Sequence, residues 1–546
     1  MTRHRRRNRG IATALAVVLV AAAVPAAALA GGGHGGDNGG GHGGRSHGCE
    51  NRNINSVRKM LACTSSSDVR WHMETFQDIA DANGGTRASG TPGYDASADY
   101  VAWQLDRAGF TVERQVFDFS LFTENSSSLT NGGAVETTTM SYSGSGAVDG
   151  DVISVDLDLG LGNSSTSGCE ATDFDGLDFS GPADIAVIQR GACDFVDKAV
   201  NAQDAGAEGV VIFNQGNTED RLGQINGTLG EGAVGVITIP VISTGYDDGV
   251  ALVGAGPVSM SADTTIDTRT TENIIGDLPG VNPDNVVMAG AHLDSVDEGP
   301  GIHDNGSGSA ALLTVALELG NNKQYVPQNT LRFAWWGAEE SGLIGSDNYV
   351  FHPEFGLTDE EYFALALYLN FDMVGSPNYI FGVYDADEST FPAPVAVPPG
   401  SEALEDLFEA YYTVKGEPYD DTEFSGRSDY DAFISVGIPA SGLFTGAEGI
   451  KTAEQEAIWG GTAGEQYDPC YHQACDTQDN RSRYALDINV DAIAYAIFVL
   501  AASTEAVNGV VGVPVKGITP DQVDFDGPQG TFLSGGGFTY DGLETS

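Results

Sequence analysis

Three apolar runs in the middle of the chain each lead into acidic or imidazole side chains. The runs at 286–291, 331–336 and 364–371 have the length and continuous apolar character of strands that are buried on both faces of a parallel sheet. They are followed, in chain order, by His292 and Asp294, by Glu339 and Glu340, and by Asp372. Ligands of open α/β sheets collect at the carboxyl ends of the strands, so we expect these side chains to meet at one edge.

Helical and alternating patterns surround these strands. Apolar residues recur with helical spacing over 69–83 and 94–108, and alternation over 111–119 predicts a strand. Helices are also predicted at 307–319 and 341–351, directly after two of the acidic loops. Strands that alternate with helices favour an α/β fold with parallel strands in an open sheet.

The composition divides the chain into segments. Helices and strands of the α/β pattern occupy 65–121 and 269–506, whereas 122–268 begins with a stretch rich in Ser, Thr, Gly and Asn and continues with short strands and turn residues. We therefore predict a β-rich domain inserted into an α/β domain. The glycine-rich end, 507–546, is predicted to be an extension or a processed tail.

The amino-terminal residues have the character of a processed leader. Residues 1–30 combine five arginines, an apolar run and a small-residue Ala-Leu-Ala end, which predicts a cleaved secretion signal with an apolar run too short to span a membrane comfortably. Residues 31–48 contain mostly glycine and histidine, which predicts a disordered linker. A GxSxG match at 44–48 lies in this linker rather than between a strand and a helix, so we reject a serine-hydrolase site.

The net charge argues against nucleic acid as a partner of this protein. The formal charge of −52 becomes −57 once the five leader arginines are removed. Such an acidic chain is an unlikely ligand for nucleic acid, because binding to phosphates requires basic side chains.

An even number of cysteines in a chain with a predicted secretion signal indicates disulfide bonds, which we expect between neighbours along the sequence. Fifteen pairings remain formally open, and zinc ligation by Cys470 and Cys475 is the alternative for the last pair. The six cysteines are Cys49, Cys63, Cys169, Cys193, Cys470 and Cys475.

The acidic and imidazole residues have the chemistry of a transition-metal site. Asp304 lies in the glycine-rich loop after His292, and a further histidine, His472, lies in DPCYHQACD. Buried unpaired carboxylates are costly without a cation, and imidazole ligands disfavour calcium, which takes oxygen donors. Two metals need one shared carboxylate and private ligands for each. Asp294, two residues beyond His292 in an extended strand, is placed to accept the second imidazole N–H.

Five ordered motifs, AHLDS, GIHDNGSG, WWGAEESGLIGS, NFDMVGSPN and CYHQACD, resemble the secreted di-zinc aminopeptidases of metallopeptidase family 28. The resemblance implies a zinc exopeptidase fold, with a mixed, largely parallel eight-stranded central sheet flanked by helices. It implies that His292 and Asp372 hold one zinc, that Glu340 and His472 hold the other, and that Asp304 bridges the two. It further assigns Glu339 as general base and Tyr471 as a hydrogen-bond donor to the tetrahedral oxyanion.

The same resemblance suggests substrate contacts. The backbone carbonyl of Arg427 in FSGRSDYDAF would share recognition of the substrate ammonium group, and Met373, Gly426 and Phe444 would line an apolar side-chain pocket. His303 departs from the pattern, since many relatives have asparagine or aspartate before the bridging aspartate. We expect His303 to be a solvated loop residue.

The inserted segment resembles a protease-associated domain, a small β-rich module found in secreted peptidases. The resemblance is carried by Arg190-Gly191, Cys193-Asp194-Phe195, Lys198, Asn201-Ala202 and the VVIFN strand. A spacer, a lid and a substrate gate are all compatible with this module.

These observations together predict a secreted zinc aminopeptidase that removes N-terminal, large apolar residues from peptides. We expect two Zn²⁺ per chain, a monomer, peptide substrates with free N-termini, no nucleic acid and no membrane anchor. Calcium activation stays open at this point. The alternatives are a carboxypeptidase or aminoacyl-amide hydrolase on the same zinc site, and a non-catalytic peptide-binding ectodomain.

Overall fold

A computed structural model describes residues 49–218, 221–393 and 396–517. The predicted secretion signal and the glycine-histidine linker lie outside the described residues, as does the predicted C-terminal extension beyond residue 517.

Local capping signals set the ends of the helices. The helices are α1 Val57–Leu61, α2 Ser66–Ala82, α3 Pro92–Ala108, α4 Phe195–Ala205, α5 Tyr246–Leu252, α6 Gly306–Asn321, α7 Ile344–Phe351, α8 Asp359–Ala364, α9 Ser401–Lys415, α10 Tyr430–Ser435, α11 Ala453–Trp459, α12 Arg483–Ala502 and α13 Glu505–Asn508. α3 begins after Thr91, whose hydroxyl accepts a hydrogen bond from Tyr94 N–H, and ends at Gly109 in the left-handed conformation. The helix predicted from residue 341 begins only at Ile344, because Gly342 and Leu343 have φ values of 112° and 61°.

The strands are β1 Thr111–Thr130, β2 Ala134–Val135, β3 Thr138–Thr139, β4 Gly146–Val155, β5 Asp184–Gln189, β6 Gly209–Phe213, β7 Val241–Thr244, β8 Val258–Leu278, β9 Asn282–His292, β10 Asn329–Trp336, β11 Leu365–Phe371, β12 Gly382–Tyr384, β13 Asp420–Thr422 and β14 Ala440–Phe444. β9, β10 and β11 coincide with the three apolar runs. Every residue of β11 is buried, as expected for a central strand.

The larger sheet is mixed, with parallel strands at its centre. In the described part of the chain its eight strands follow the order β13-β12-β14-β11-β9-β10-β8-β1. β9 runs parallel to β10 and to β11, and β11 runs parallel to β14. β8 is antiparallel to β10 and β1, and β12 is antiparallel to β14. The predicted α/β class, with a largely parallel sheet between helices, is confirmed.

A second sheet belongs to the inserted segment. β4, β5, β6 and β7 are parallel neighbours, and β3 pairs antiparallel with β7. β1 and β8 connect the two sheets, since β8 pairs with β4 over 258–262 and with β10 over 274–278. The proposed domain boundaries at 121/122 and 268/269 therefore fall inside two long, paired strands.

Helices cover the larger sheet. α6 and α12 are buried along most of their length and share one apolar core with α2 and α3. Among the described residues, α12 is the one helix that is long and apolar enough to cross a membrane, but 78 % of that segment is buried inside the protein. Its apolar character is accounted for by its place in the core.

Candidate metal centre

The carboxyl ends of the three central strands meet at one edge of the sheet. β9 lies between β10 and β11, and all three run in the same direction. β9 ends at His292, which lies beside Trp336 at the end of β10, and Asp372 follows β11 directly. Parallel pairing thus brings three sequence-distant side chains together, because strand direction determines which ends are adjacent.

Asp304 separates two groups of candidate ligands. One carboxylate oxygen, Oδ1, lies 3.2 Å from His292 Nε2, which is also 3.2 Å from Asp372 Oδ1. The other oxygen, Oδ2, lies 3.3 Å from His472 Nε2, which is 2.9 Å from Glu340 Oε2. The five predicted ligands therefore form two groups that share one carboxylate.

The charge and the burial of these five side chains fit a binding site for metal ions. Glu340 Oε1 is buried without a hydrogen-bond partner, and burial raises the pKa of the Glu340 carboxyl to about 7. Burial alone would lower the pKa of His472, but Glu340 and Asp304 raise it to about 11. The two histidines hold the pKa of Asp304 well below its usual range, against the effect of burial. These carboxylates require positive charge beside them, and nitrogen and oxygen donors in this arrangement suit zinc.

Glu339 points toward the ligand group that contains His292 and Asp372. Its Oε2 lies 3.9 Å from His292 Nε2, and burial raises the pKa of this carboxyl well above its usual value. Asp294 links the two residues, because its Oδ1 accepts the Glu339 backbone N–H at 3.3 Å and lies 3.6 Å from His292 Nδ1. The backbone carbonyl of Asp294 is closer to Nδ1, at 3.2 Å. The backbone carbonyl oxygen and the carboxylate oxygen Oδ1 of Asp294 can therefore both orient the imidazole of His292.

Tyr471 and Arg427 lie at the open side of the centre. The Tyr471 ring stacks on His472, with ring centroids 3.8 Å apart. Its hydroxyl accepts a hydrogen bond from Arg427 Nη2 at 3.4 Å, and Arg427 Nη1 lies 2.7 Å from Glu448 Oε1. The hydroxyl is thus held beside the ligand group of His472.

Comparisons with known proteins agree with this geometry. The model of Peptidase family M28 matches residues 273–497, and the PA domain model matches residues 148–252. An aminopeptidase from Pseudomonas aeruginosa is 47 % identical over 458 residues, which cover 82 % of this chain and 83 % of the relative. The chain belongs to peptidase family M28. Leucine aminopeptidase 2 from Trichophyton rubrum is 38 % identical and covers 80 % of this chain and 84 % of its own length.

Solved structures share the fold. An aminopeptidase from Aneurinibacillus sp. strain AM-1 has a TM-score of 0.62 at 25 % identity and covers 84 % of this chain and 99 % of its own. A zinc aminopeptidase from Bacillus subtilis has a TM-score of 0.51 at 23 % identity and covers 82 % of this chain and 98 % of its own. The chain is accordingly a metallo-aminopeptidase of family M28 with an inserted PA domain, and the predicted resemblances to this family and to the protease-associated domain are confirmed.

The predicted pocket residues surround the end of β11 in this peptidase. Met373 is buried, and its backbone is left-handed with φ 51°. Gly426 has φ 72° and lies in the partly exposed turn that carries Arg427. Phe444, the last residue of β14, is partly buried and packs against the second apolar core. The pocket assignment stays a prediction.

Left-handed backbone conformations recur around the centre. Ala338, Met373 and His472 have φ values of 55°, 51° and 56°. Hydrogen bonds hold the first two, since Ala338 N–H donates to Ser89 Oγ at 2.7 Å and Met373 N–H donates to Asn305 Oδ1 at 3.1 Å. Such conformations are unfavourable for side chains other than glycine and persist where surrounding contacts impose them.

His303 is buried, so the expectation of a solvated loop histidine is wrong. Its Nδ1 lies 2.7 Å from Asp468 Oδ2, and its Nε2 accepts the Gly375 backbone N–H at 3.2 Å. Asp476 accepts the backbone N–H groups of His303 and Asp304. A buried imidazole thus connects the loop of Asp304 with the loop of His472, because Asp468 and Asp476 flank that histidine in sequence.

Two positioning residues were missed by the sequence reasoning. Ser428 donates to Asp372 Oδ2 at 2.7 Å and accepts from Asn370 Nδ2 at 2.8 Å. The guanidinium of Arg87 is fully buried and donates to the carbonyls of Leu293, Pro300 and Gly301, in the segment between His292 and Asp304. Arg87 belongs to RASGT, which lies between the predicted helices at 69–83 and 94–108 and which no pattern marked as functional.

Three disulfides occur in the described residues, each between sequence neighbours as predicted. They are Cys49–Cys63, Cys169–Cys193 and Cys470–Cys475. The last one closes the loop that contains Tyr471 and His472. The alternative of zinc ligation by these two cysteines is wrong, because both sulfurs are used in the disulfide.

Proposed function

We propose that this M28 peptidase is a secreted enzyme that holds two zinc ions and releases large apolar residues from the N-termini of peptides. The observation that carries the proposal is the position of Asp304 between two ligand groups, with one carboxylate oxygen directed at each. His292 and Asp372 would complete one zinc site, and His472 and Glu340 the other.

Bound zinc supplies Lewis acidity, which lowers the pKa of water and polarises a carbonyl group. Glu339 would act as general base, taking a proton from the attacking water and delivering it to the leaving amine, because its buried carboxylate lies 3.9 Å from His292 Nε2. Asp294 positions both His292 and Glu339 through the contacts described above. The hydroxyl of Tyr471 would donate a hydrogen bond to the developing oxyanion.

Charge around the centre favours a substrate ammonium over a substrate carboxylate. Glu339 and Asp372 offer negative charge where the N-terminus of a peptide would lie. A carboxypeptidase would need an unpaired basic side chain to bind the substrate carboxylate, but Arg427 Nη1 is already paired with Glu448 Oε1 at 2.7 Å. This pairing favours the aminopeptidase over the carboxypeptidase alternative.

Further support concerns specificity and location. The leucine aminopeptidase of Trichophyton rubrum, at 38 % identity, supports a preference for large apolar side chains, and Met373, Gly426 and Phe444 are the proposed pocket residues. Three disulfides support an oxidising, extracellular compartment. We further propose that the enzyme acts as a monomer without a membrane anchor.

The test combines metal analysis with two neighbouring variants. Purified wild type should contain two zinc ions per chain by elemental analysis, and leucyl anilide should be cleaved whereas N-acetyl-leucyl anilide is not. Glu339→Gln should keep both zinc ions and lose roughly 10²–10⁴-fold in kcat. Glu340→Gln, the matched control, should lose zinc as well as turnover.

Distinct results would contradict each part of the proposal. Turnover by Glu339→Gln close to that of the wild type would exclude its role as base. A single zinc ion per fully active chain would exclude the paired site. Release of C-terminal residues from a peptide panel would favour the carboxypeptidase, and a metal-free, inactive wild type would favour the binding ectodomain.

A further inference from the structure

A second cluster of carboxylates lies outside the zinc centre. Glu405 and Glu409 are one helical turn apart on α9, Asp421 lies in β13, and Asp385 and Asp387 lie in the loop after β12. Single oxygens of Glu405, Glu409 and Asp421 all lie within 4.8 Å of one another, and the same holds for Asp385, Asp387 and Glu405. Glu405 is common to both groups, so the two groups of acids are adjacent.

Three of these acids are buried, and some of their oxygen atoms lack a hydrogen-bond donor. Glu405, Glu409 and Asp421 are only 3 %, 4 % and 5 % exposed. Asp421 Oδ1 is buried and has no hydrogen-bond partner, whereas Asp421 Oδ2 accepts from the hydroxyls of Ser389 and Thr390. In the described part of the chain Glu409 makes no side-chain hydrogen bond or ion pair. An unpaired buried carboxylate is costly, so a group with affinity for carboxylate oxygen is needed at this position.

No basic side chain among the described residues forms a salt bridge with any of the five acids. Burial, followed by the repulsion of neighbouring carboxylates, raises the pKa of Glu405 to about 9 and that of Glu409 to about 8. Burial likewise raises the pKa of Asp421 to about 6. Without a cation, Glu405 and Glu409 would therefore hold protons near neutral pH, and a bound cation would replace those protons.

We propose that this acidic cluster, formed by Asp385, Asp387, Glu405, Glu409 and Asp421, is a binding site for one calcium ion. All donors are oxygens, which calcium prefers, and the cluster lacks the imidazole or thiolate ligands that favour zinc. Asp421 Oδ1 and the carboxylate of Glu409 are the free ligands directed into the site. Asp387 is exposed and provides access from solvent.

The loop that supplies Asp385 is already ordered around this cluster. Backbone N–H groups of Ser389, Thr390 and Phe391 donate to the Asp385 carboxylate at 3.0, 3.0 and 2.6 Å. Glu405 Oε2 accepts two further backbone N–H groups from the same loop. Two of the ligands are thus fixed by protein contacts, which reduces the entropy lost when an ion binds.

The proposed ion would connect α9 with β12 and β13, and β13 leads directly to the turn that contains Arg427 and Ser428. Tyr384 in β12 packs against Tyr430, with ring centroids 4.6 Å apart, and against Phe424 at 5.2 Å. Because Ser428 donates to the zinc ligand Asp372, calcium at the acidic cluster would stabilise the segment that supports one side of the zinc centre.

The test measures calcium binding and thermal stability of the full, zinc-loaded chain. Protein freed of calcium by a chelating resin and restored with zinc is titrated with CaCl₂ in a calorimeter, and its Tm is recorded with and without calcium. Wild type should bind one calcium ion per chain, and its Tm should rise by about 3–4 °C at a hundredfold excess over the Kd.

Neutral variants of matched shape identify the site. Glu409→Gln/Asp421→Asn should fold without calcium and lose both the binding and the rise in Tm. Asp359→Asn/Glu360→Gln removes two exposed carboxylates at the start of α8 and should respond to calcium as wild type does. If the double variant does not fold, Glu409→Gln alone should weaken calcium binding at least tenfold.

The proposal is overturned if wild type binds no calcium with zinc present, or if the Glu409 variants keep the calcium response of the wild type. An equal loss of response in the control at Asp359 and Glu360 would also overturn it, because it would indicate a general effect of surface charge. Zinc content measured in every sample distinguishes calcium binding at the acidic cluster from exchange at the zinc centre.

Discussion

The buried guanidinium of Arg87 offers the sharpest test of how the zinc centre is held. Its three hydrogen-bond acceptors are the backbone carbonyls of Leu293, Pro300 and Gly301, all in the segment that joins His292 to Asp304. Arg87→Met retains the apolar stem but removes all five donors of the guanidinium. The carbonyls of Leu293 and Pro300 would then lose their partner, whereas the carbonyl of Gly301 keeps the Gly306 backbone N–H at 3.0 Å.

The expected magnitude follows from these contacts. An unpaired buried polar group costs about 1–3 kcal/mol, so the carbonyls of Leu293 and Pro300 give about 2–6 kcal/mol, and water entering the vacated space favours the lower limit. A loss of about 2 kcal/mol corresponds to a fall in Tm of roughly 3 °C for a domain of a few hundred residues. The same displacement of the segment should weaken zinc binding, because His292 and Asp304 lie at its two ends.

The assay records Tm at one scan rate and fixed zinc concentration, together with kcat/KM for leucyl anilide. Arg87→Lys keeps a charge but not the planar set of donors, so it should fall between wild type and Arg87→Met. Arg107→Met removes an exposed arginine and should change the free energy of unfolding by no more than about 0.5 kcal/mol. A Tm for Arg87→Met equal to that of Arg107→Met would refute the reasoning.

Three further predictions concern other contacts. Ser428→Ala removes the hydrogen bond to Asp372 and should lower zinc affinity or activity roughly 10–100-fold, measured by competition with a zinc chelator. Cys470→Ser/Cys475→Ser frees the loop that carries one zinc ligand and should weaken zinc binding by about tenfold or more. Burial lowers the pKa of Lys198 from 10.5 to about 8. The folded protein therefore releases this proton at a lower pH than the unfolded chain does. Wild type should therefore gain stability relative to Lys198→Met as pH rises from 8 to 10.

Each of these has a matched control. Ser425→Ala removes an exposed hydroxyl of the same turn and should leave zinc affinity unchanged. Cys49→Ser/Cys63→Ser removes a disulfide from the amino-terminal segment and should lower Tm without lowering the affinity for zinc. Lys59→Met removes a lysine at a partly exposed position of α1 and is the control for the loss of a lysine charge. Equal effects in any variant and its control would contradict the assigned contact.

The parts of the centre that the sequence could predict are those that local pattern determines. His292 and Asp372 terminate apolar strands, and parallel strands bring their carboxyl ends together. Arg87 could not be found in this way, since it reaches Leu293 across 206 residues and no local pattern indicates the contact. His303 was misjudged for the same reason, because its partner Asp468 is 165 residues away.

The two long strands β1 and β8 also make the PA domain separable from the peptidase. The two strands pair without interruption between the residue pair Thr111–Asp277 and the residue pair Glu124–Thr264. The chain therefore leaves the larger sheet and returns to it on adjacent strands. A two-residue hairpin between Leu121 and Asp267, which face each other, would restore a continuous sheet edge without the insert. Modules of different size could therefore be exchanged at this ribbon during evolution, or by engineering, while the catalytic strands keep their register.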